Sequence, residues 1–315
     1  MSVVAVFPGQ GSQAVGMGAG LAQASAAARA VFAEVDEALG ESLSKLIFEG
    51  PAETLTLTAN AQPALMATSL AAVRALEERL GGRLADRIAF AAGHSLGEYS
   101  ALAATGSIGI MDAARILRLR GQAMQDAVPA GEGAMAAVLG LDPDAAAAVA
   151  VEAAAEGGVC ELANDNAEGQ AVLSGSKDAV ERAMAIAKAK GAKRVLLLQV
   201  SAPFHCALMA PAAEHLGKAF IDTRFLAPAV PLIANVTAQP VSDPDLLPDL
   251  LVRQATSRVR WRESMATMAR EGATTVLELG AGKVLTGLAK RGVPGATLLN
   301  VAEPADLDAA AAALS

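Results

Sequence analysis

The stretch Phe90-Ala91-Ala92-Gly93-His94-Ser95-Leu96-Gly97-Glu98 decides the fold class, because in it an apolar run meets a helical pattern across two glycines. Gly-x-Ser-x-Gly at a strand-to-helix junction is typical of a nucleophile elbow, a sharp turn that exposes the serine hydroxyl. Ser95 would lie at the N-terminus of the next helix, where backbone N–H groups favour negative charge. The Leu96 N–H is then the expected first donor to an oxyanion. The alternative is a chance match in a Gly- and Ala-rich chain, which the flanking strand and helix disfavour.

On both sides of this stretch, short apolar runs alternate with longer helical patterns, which predicts an α/β fold with a mainly parallel sheet. Pro63 fits a helix start, where its missing N–H costs nothing. The predicted core strands are Val3–Phe7, Ile88–Ala92, Leu232–Val236, Thr275–Leu279 and Thr297–Val301. The predicted helices are Ala22–Leu39, Pro63–Leu80, Leu96–Ala104, Met111–Ala127, Ala207–Phe220, Trp261–Glu271 and Lys283–Lys290.

The segment from about 130 to 199 has its own order of elements. Its predicted strands and helices follow the order βαββαβ, which is the ferredoxin-like arrangement. We therefore expect a hydrolase-like catalytic domain from residues 1–129 and 200–315, with an inserted ferredoxin-like subdomain at 130–199. The predicted elements are Ala134–Leu139, Pro143–Ala155, Val159–Ala163, Gln170–Ser174, Lys177–Lys190 and Arg194–Val200.

Composition excludes several classes of protein. The composition, with 53% hydrophobic and 18% charged residues among 315, predicts a well-buried globular core rather than disorder. A net charge of -8 argues against a nucleic-acid partner, and no apolar run reaches the ~18 residues of a membrane helix. The N-terminus lacks the basic region of a signal peptide, and two cysteines make no disulfide framework. We expect a cytoplasmic monomer with no membrane contact, no metal and no permanently bound cofactor.

The chain has only three histidines from which to choose a general base. The side chain of His94 should point away from the Ser95 hydroxyl, and His215 falls within a helical pattern. His205 lies between a predicted strand and a predicted helix, where α/β proteins gather active-site residues, and is the expected base. Because no Asp or Glu stands at a main-sheet strand end between Ser95 and His205, we expect a Ser–His dyad, its imidazole oriented by an amide or a backbone carbonyl.

Five motifs occur in an order that is far more specific than any one of them. The chain resembles the malonyl-CoA:acyl carrier protein transacylases of bacterial fatty acid synthesis over nearly its whole length. The family has a hydrolase-like α/β domain with a ferredoxin-like insert, as the element order predicts. The motifs are Phe7-Pro8-Gly9-Gln10-Gly11-Ser12-Gln13, Gly93-His94-Ser95-Leu96-Gly97-Glu98, Arg118-Leu119-Arg120-Gly121, Pro203-Phe204-His205 and Gly280-Ala281-Gly282-Lys283-Val284-Leu285.

The resemblance implies roles for further residues. The backbone N–H of Gln10 would be the second oxyanion donor, and Arg120 would pair with the malonyl carboxylate. Gln254 would orient the histidine through its backbone carbonyl. Phe204 resembles a phenylalanine that goes with malonyl rather than methylmalonyl selection. Asn164 matches an asparagine near the site.

Two of these residues have simpler interpretations. Arg120 could belong, with Arg115 and Arg118, to a solvated helix face. Asn164 could cap a turn.

The implied function is ping-pong transfer of a malonyl group from malonyl-CoA, through a malonyl-serine, to the phosphopantetheine thiol of acyl carrier protein. Acyl carrier proteins are acidic, so a locally basic docking surface is expected. The alternatives are a serine esterase or thioesterase, a polyketide-pathway malonyltransferase and a non-catalytic interaction protein. A dinucleotide-binding protein, suggested by Gly9-x-Gly11-x-x-Ala14, is disfavoured by the lack of a strand-end acid ~20 residues on. The basic candidates are Lys188, Lys190, Lys193, Arg194, Arg258, Arg260 and Arg262.

Overall fold

A computed structural model describes residues 2–315, and its strands form two sheets. The strands are β1 (Val3–Phe7), β2 (Phe90–Gly93), β3 (Gly133–Leu139), β4 (Cys160–Ala167), β5 (Gln170–Ser176), β6 (Arg194–Leu197), β7 (Leu232–Ile233), β8 (Pro240–Val241), β9 (Thr275–Leu279) and β10 (Thr297–Val301). The larger sheet has the order β10-β9-β1-β2-β7-β8, and every neighbouring pair is parallel except β7 with β8.

The larger sheet is covered by helices on both faces, which is why all five residues of β1 are buried. Val3, Ala5 and Phe7 pack into one apolar cluster with α2, α5 and α7, while Val4 and Val6 pack with α12 and α13. The helices are α1 (Ala19–Ala24), α2 (Ala26–Leu39), α3 (Leu43–Glu49), α4 (Ala52–Thr56), α5 (Thr58–Leu80), α6 (Gly97–Ala104), α7 (Ile110–Asp126), α8 (Pro143–Ala154), α9 (Lys177–Ala189), α10 (Ala210–Ile221), α11 (Leu247–Thr256), α12 (Trp261–Arg270), α13 (Val284–Gly292) and α14 (Leu307–Leu314). Across residues 2–315, none of these helices is long and apolar enough to cross a membrane.

The smaller sheet is antiparallel, with the order β4-β5-β3-β6, and its elements follow the predicted order βαββαβ. Alternating residues of β3 divide between two cores: Ala134 and Ala136 pack under α8 and α9, whereas Met135 joins the core of the larger sheet. The predicted fold class is therefore confirmed. The sheet lies within the predicted insert, and the division into domains at 130 and 199 stays a prediction.

Helix α5 begins at Thr58, so the prediction that Pro63 starts it was wrong. A proline inside a helix leaves the carbonyl of the residue four positions earlier without its donor, which here is Ala59. The Arg118 guanidinium donates to that carbonyl oxygen at 2.6 Å. A side chain from α7 thus replaces the missing backbone bond and allows α5 to extend one turn further towards its N-terminus.

Other boundaries differ for local reasons. The predicted helix Ala22–Leu39 is broken at Ser25, whose hydroxyl accepts from the Ala28 N–H at 3.0 Å and caps α2. Helix α10 begins only at Ala210, after a 3₁₀ turn at Ala207–Met209, and has a proline in its first turn. Helix α11 was not predicted.

Candidate active site

Ser95 stands in a strained turn between β2 and α6, with a φ of 52°. Positive φ is unfavourable for a residue with a side chain, and such strain concentrates at functional sites. The glycines on either side permit the turn: a Cβ on Gly93 would lie 1.9 Å from the backbone of Gly97, and one on Gly97 would lie 2.2 Å from the Phe7 carbonyl oxygen. The geometry is that of the predicted nucleophile elbow.

Asn235, two residues after the end of β7, holds this turn in place. Its side-chain Oδ1 accepts from the Ser95 N–H at 2.8 Å, and its Nδ2 donates to the Gly93 carbonyl at 2.7 Å. The chain leaves the sheet at Ile233, so the predicted strand Leu232–Val236 is only two residues long. That early departure lets the Asn235 side chain reach the elbow.

His205 lies beside the predicted nucleophile, with its Nε2 2.8 Å from the Ser95 hydroxyl. Its Nδ1 is 2.9 Å from the backbone carbonyl of Gln254, which can only accept, so Nδ1 carries the proton and Nε2 is free to receive one. Burial, with a smaller contribution from the nearby Arg120 charge, lowers the pKa of His205 to about 3. The ring is therefore neutral above about pH 4.

Arg120 is 1% exposed and points its guanidinium at the same hydroxyl. Its Nη2 donates to Ser95 Oγ at 3.1 Å and to the side-chain oxygen of Gln254 at 2.8 Å. Its Nη1 donates to Gln62 Oε1 at 2.7 Å. Arg115, one turn earlier, is exposed, so the solvated-face interpretation does not hold for Arg120.

A chain of side-chain hydrogen bonds leads from Arg120 to the Gln10 loop. Gln62 Nε2 donates to the Thr58 hydroxyl at 2.9 Å, and that hydroxyl donates to Gln10 Oε1 at 2.8 Å. Within residues 2–315, the backbone N–H groups of Gln10 and Leu96 have no hydrogen-bond acceptor, as expected of groups that receive an oxyanion.

These side chains line a cavity of about 320 Å³ between the two sheets. From the loops of the larger sheet and the helices α5 and α7 that cover it come Gln10, Gln62, Ser95, Arg120, Phe204 and His205. From the smaller sheet and the chain that leaves it come Met135, Asn164, Asn166, Val172, Leu198 and Val200. Asn164 lies within β4, where it forms a bridge with Val259, so it does not cap a turn.

The two other histidines lie outside the hydrogen-bonded pair. His94 Nε2 is 2.8 Å from Asn166 Oδ1 and its ring centroid is 5.5 Å from that of Trp261. Burial lowers its pKa, although the bond to Asn166 opposes that effect. His215 is exposed on α10. The structure thus brings His205, and neither of the others, to the Ser95 hydroxyl.

Residues 4–305 match the family described as the acyl transferase domain. The chain belongs to this acyl transferase family. The resemblance read from the five motifs is thereby confirmed, as is the prediction of a transferase enzyme.

Relatives of this acyl transferase cover almost all of it. The malonyl CoA-acyl carrier protein transacylase of Escherichia coli (strain K12) is 48% identical over 305 residues, 97% of each chain. An acyl-carrier-protein-S-malonyltransferase from Bartonella henselae has a crystal structure with TM-score 0.96 and 52% identity, covering 100% of this chain and 99% of that one. A type II PKS acyl-carrier protein in complex with its malonyl-transacylase gives TM-score 0.95 and 42% identity, covering 99% and 100%.

Sequence reasoning missed several polar residues that support the acyl transferase site. Glu98, Gln62, Asn235 and Asn166 are hydrogen-bonded to residues of the site. A signal existed for two of them: Glu98 is a charge one turn after the nucleophile, and Gln62 follows Thr58 at i+4 in an apolar helix. In the described part of the chain, no cluster of three His, Cys, Asp or Glu side chains is placed to hold a metal ion.

The basic residues of the predicted docking surface of the acyl transferase differ in whether they have acidic partners. Four of its seven candidates form ion pairs with acidic neighbours: Lys190 with Glu152, Arg258 and Arg260 with Glu263, and Arg262 with Asp165. The remaining three, Lys188, Lys193 and Arg194, are exposed at one end of the smaller sheet.

Proposed function

We propose that the enzyme transfers a malonyl group from malonyl-CoA to the phosphopantetheine thiol of acyl carrier protein, through a malonyl ester on Ser95. The observation that carries the proposal is the almost fully buried Arg120 guanidinium, 3.1 Å from the Ser95 hydroxyl on the wall of the cavity. A serine hydrolase needs no buried cation at its nucleophile, whereas an enzyme that carries a carboxylated acyl group does. The names of the relatives support the same substrate.

In the first half-reaction, His205 removes the proton of Ser95 as the hydroxyl attacks the thioester carbonyl. The N–H groups of Gln10 and Leu96 receive the oxyanion, and each such donor is worth about 3 kcal/mol of transition-state stabilisation. The tetrahedral intermediate collapses with loss of coenzyme A, whose sulfur takes the proton from His205. Gln254 keeps the imidazole in the tautomer that both steps need.

The malonyl carboxylate binds to Arg120, because a guanidinium presents two parallel donors that match two carboxylate oxygens. In the structure those donors face Gln62, Gln254 and Ser95, all of them neutral acceptors. The carboxylate replaces at least one of these weaker partners when the substrate binds. Burial of Arg120 makes the pair stronger than it would be in water.

In the second half-reaction, the pantetheine thiol attacks the malonyl-serine ester and His205 again transfers the proton. We place carrier-protein docking near Lys188, Lys193 and Arg194, the exposed basic residues of the smaller sheet. Carrier proteins of fatty acid and polyketide synthesis are both candidates, since one relative acts with a type II PKS carrier protein. A cytoplasmic location and a monomeric state remain predictions.

The test is mass spectrometry of the intact enzyme after exposure to malonyl-CoA, with acetyl-CoA in parallel. We expect one malonyl adduct that is absent in Ser95→Ala and is discharged by added carrier protein. Arg120→Ala should lower malonyl loading by about 10²-fold and acetyl loading far less, because only malonate has the carboxylate. Release of free malonate faster than transfer to carrier protein would instead identify a thioesterase.

A further inference from the structure

Glu98 is a buried carboxylate that the mechanism above does not use. It is 1% exposed and lies on α6, one turn after the nucleophile. Its Oε2 accepts from Gln254 Nε2 at 2.6 Å, and its two oxygens accept from the Asn235 N–H at 3.3 and 3.4 Å. An ionised group in such a place is costly unless hydrogen bonds and an opposite charge compensate for the lost hydration.

Both partners of Glu98 hold the nucleophile. Asn235 binds the Ser95 N–H and the Gly93 carbonyl, as described above. Gln254 Nε2, besides contacting Glu98, donates to the Ser95 carbonyl at 3.0 Å. Glu98 therefore supports, through two neighbours, the residue whose φ is strained.

Gln254 also joins Glu98 to the two groups that act on the substrate. Its side-chain oxygen accepts from Arg120, and its backbone carbonyl accepts from His205. A carboxylate can only accept and a guanidinium can only donate, so the amide has a single orientation that suits both. Its NH₂ group faces Glu98 and its oxygen faces Arg120.

We infer that Glu98 is a positioning residue whose carboxylate, through Gln254 and Asn235, keeps Arg120, His205 and the Ser95 backbone in place for acyl transfer. The inference rests on the proposed function, because it gives Arg120 and His205 the tasks assigned there. It concerns a residue that touches no substrate and acts only through its neighbours.

Protonation of Glu98 would disturb this arrangement. Only one of its two oxygens would remain a strong acceptor, and the carboxyl O–H would be directed at a group that already donates, either the Gln254 NH₂ or the Asn235 N–H. Rotation of the Gln254 amide would relieve that conflict, but it would turn the NH₂ group towards the Arg120 guanidinium. The Arg120 guanidinium would then lose an acceptor that orients it.

The pKa of Glu98 places its protonation in a pH range where acylation can be measured. Burial raises the pKa of Glu98 to about 7, while bonds from Gln254 and Asn235 and the charge of Arg120 oppose the rise. Among the residues that the structure describes, Tyr99 is the other titratable group beside Glu98, and burial raises the pKa of its hydroxyl far above neutrality. Since the pKa of His205 is lowered to about 3, His205 stays neutral where Glu98 titrates. Acylation should therefore fall as the pH drops below about 7, and the group responsible is Glu98.

The test is the rate of single-turnover acylation by malonyl-CoA from about pH 5 to about pH 9, in wild type, Glu98→Gln and Glu278→Gln. Glu278 is the matched control: it too is a buried carboxylate with a raised pKa, but it binds the N–H groups of Leu285 and Thr286 at the start of α13. We expect wild type and Glu278→Gln to lose about tenfold in rate per pH unit below the pKa of Glu98. Glu98→Gln should be about 10- to 100-fold slower at high pH and nearly independent of pH.

A Glu98→Gln enzyme that keeps the wild-type rate, or that still loses rate as the pH falls below the pKa of Glu98, overturns the inference. If that variant does not fold, infrared titration of Glu278→Gln decides: a protonated-carboxyl band must grow as the acylation rate falls, and its absence overturns the inference as well. Failure of the proposed function looks different, because the wild type would then gain no malonyl adduct at any pH. In that case the loss of rate at low pH is measured through acylation of Ser95 by p-nitrophenyl acetate, whose acyl group has no carboxylate to bind Arg120.

Discussion

The cores of the two sheets differ in what they bury. Beneath the nucleophile elbow lie the polar side chains of Gln62, Glu98, Arg120, Asn235 and Gln254, each almost inaccessible to solvent. The core between the smaller sheet and its helices α8 and α9 is built from alanine, valine and leucine with one cysteine. One region carries a buried hydrogen-bond network and the other an ordinary apolar core.

That difference separates chemistry from shape. Buried polar groups are tolerated beneath the elbow because most of them satisfy one another, although Arg120 Nε has no partner among the described residues. Their joint arrangement positions a hydroxyl, an imidazole and a guanidinium. The smaller sheet contributes walls to the cavity, such as Met135 and Val172, and the Asn166 side-chain oxygen, which accepts a hydrogen bond from His94 Nε2. Changes in the first region should therefore alter the reaction, whereas changes in the second should alter stability or substrate fit.

The largest effect is expected at the centre of the network. His205→Gln should lower the rate of malonyl-enzyme formation by about 10⁴-fold, because no other group lies ready to take the Ser95 proton. Rapid-quench mass spectrometry measures this rate. His215→Gln on the exposed face of α10 is the matched control and should retain the wild-type rate; comparable losses in both variants would refute the assignment of the base.

The elbow should be the least tolerant point of the larger sheet. Gly97→Ala would place a methyl group 2.2 Å from the Phe7 carbonyl oxygen, and we expect a loss of about 3 kcal/mol in the free energy of unfolding. Gly287→Ala, in the exposed middle of α13 with no atom within 4 Å of the added Cβ, should gain about 0.5–1 kcal/mol. Urea denaturation measures both. Effects of the same sign would contradict the tight crossing at the elbow.

The junction between the two regions should affect stability more than rate. Asp165 on β4 is fully buried and receives Arg262 of α12 through three contacts of 2.9–3.1 Å. Asp165→Asn removes the negative charge that Arg262 binds, so it should lower the free energy of unfolding by about 1–3 kcal/mol. The loss is not larger because Arg262 is partly exposed and regains water. Asp249→Asn, which breaks the exposed pair with Arg253, should cost less than about 0.5 kcal/mol. Equal costs, measured by thermal denaturation, would argue against a structural tie at β4.

The smallest effect concerns substrate fit at the cavity wall. Phe204→Leu should improve loading of methylmalonyl relative to malonyl by about tenfold, because one methyl group is worth only about 1–3 kcal/mol. Competition between the two thioesters, read by intact mass, gives the ratio. Phe225→Leu, remote from the cavity in an edge-to-face pair with Phe220, should leave the ratio unchanged. A ratio that does not move in Phe204→Leu would remove this residue from substrate selection.

The sequence predicted best what depends on local pattern. Strands β1, β9 and β10 have the predicted bounds, and the order of elements in the smaller sheet is confirmed. Ser95 and His205 could be chosen because the Gly-x-Ser-x-Gly turn is a local feature and histidines are few. Their contact at 2.8 Å agrees with that choice, while the chemical roles of both remain predictions.

What could not be predicted depends on contacts between distant residues. Arg118 donates to a carbonyl in α5 that is 59 residues away in the sequence. The position of Pro63 alone therefore could not predict that this helix begins at Thr58. Glu98 and Gln254 are 156 positions apart and meet only when α11 packs under the elbow. A glutamate in the first turn of a helix is ordinary, and only its burial distinguishes it.

Strand β6 ends at Leu197, yet the next residues, Leu198, Gln199 and Val200, already line the cavity. Pro203 then packs against Gly133, the first residue of β3. A chimera of two relatives joined at Leu197 would exchange the smaller sheet, with its wall residues Met135 and Val172, and keep the native segment from Leu198 to Val200. A chimera joined after Pro203 would exchange the sheet and that segment together. The position of the crossover within this window of about six residues therefore decides how much of the cavity wall a recombinant inherits together with the smaller sheet.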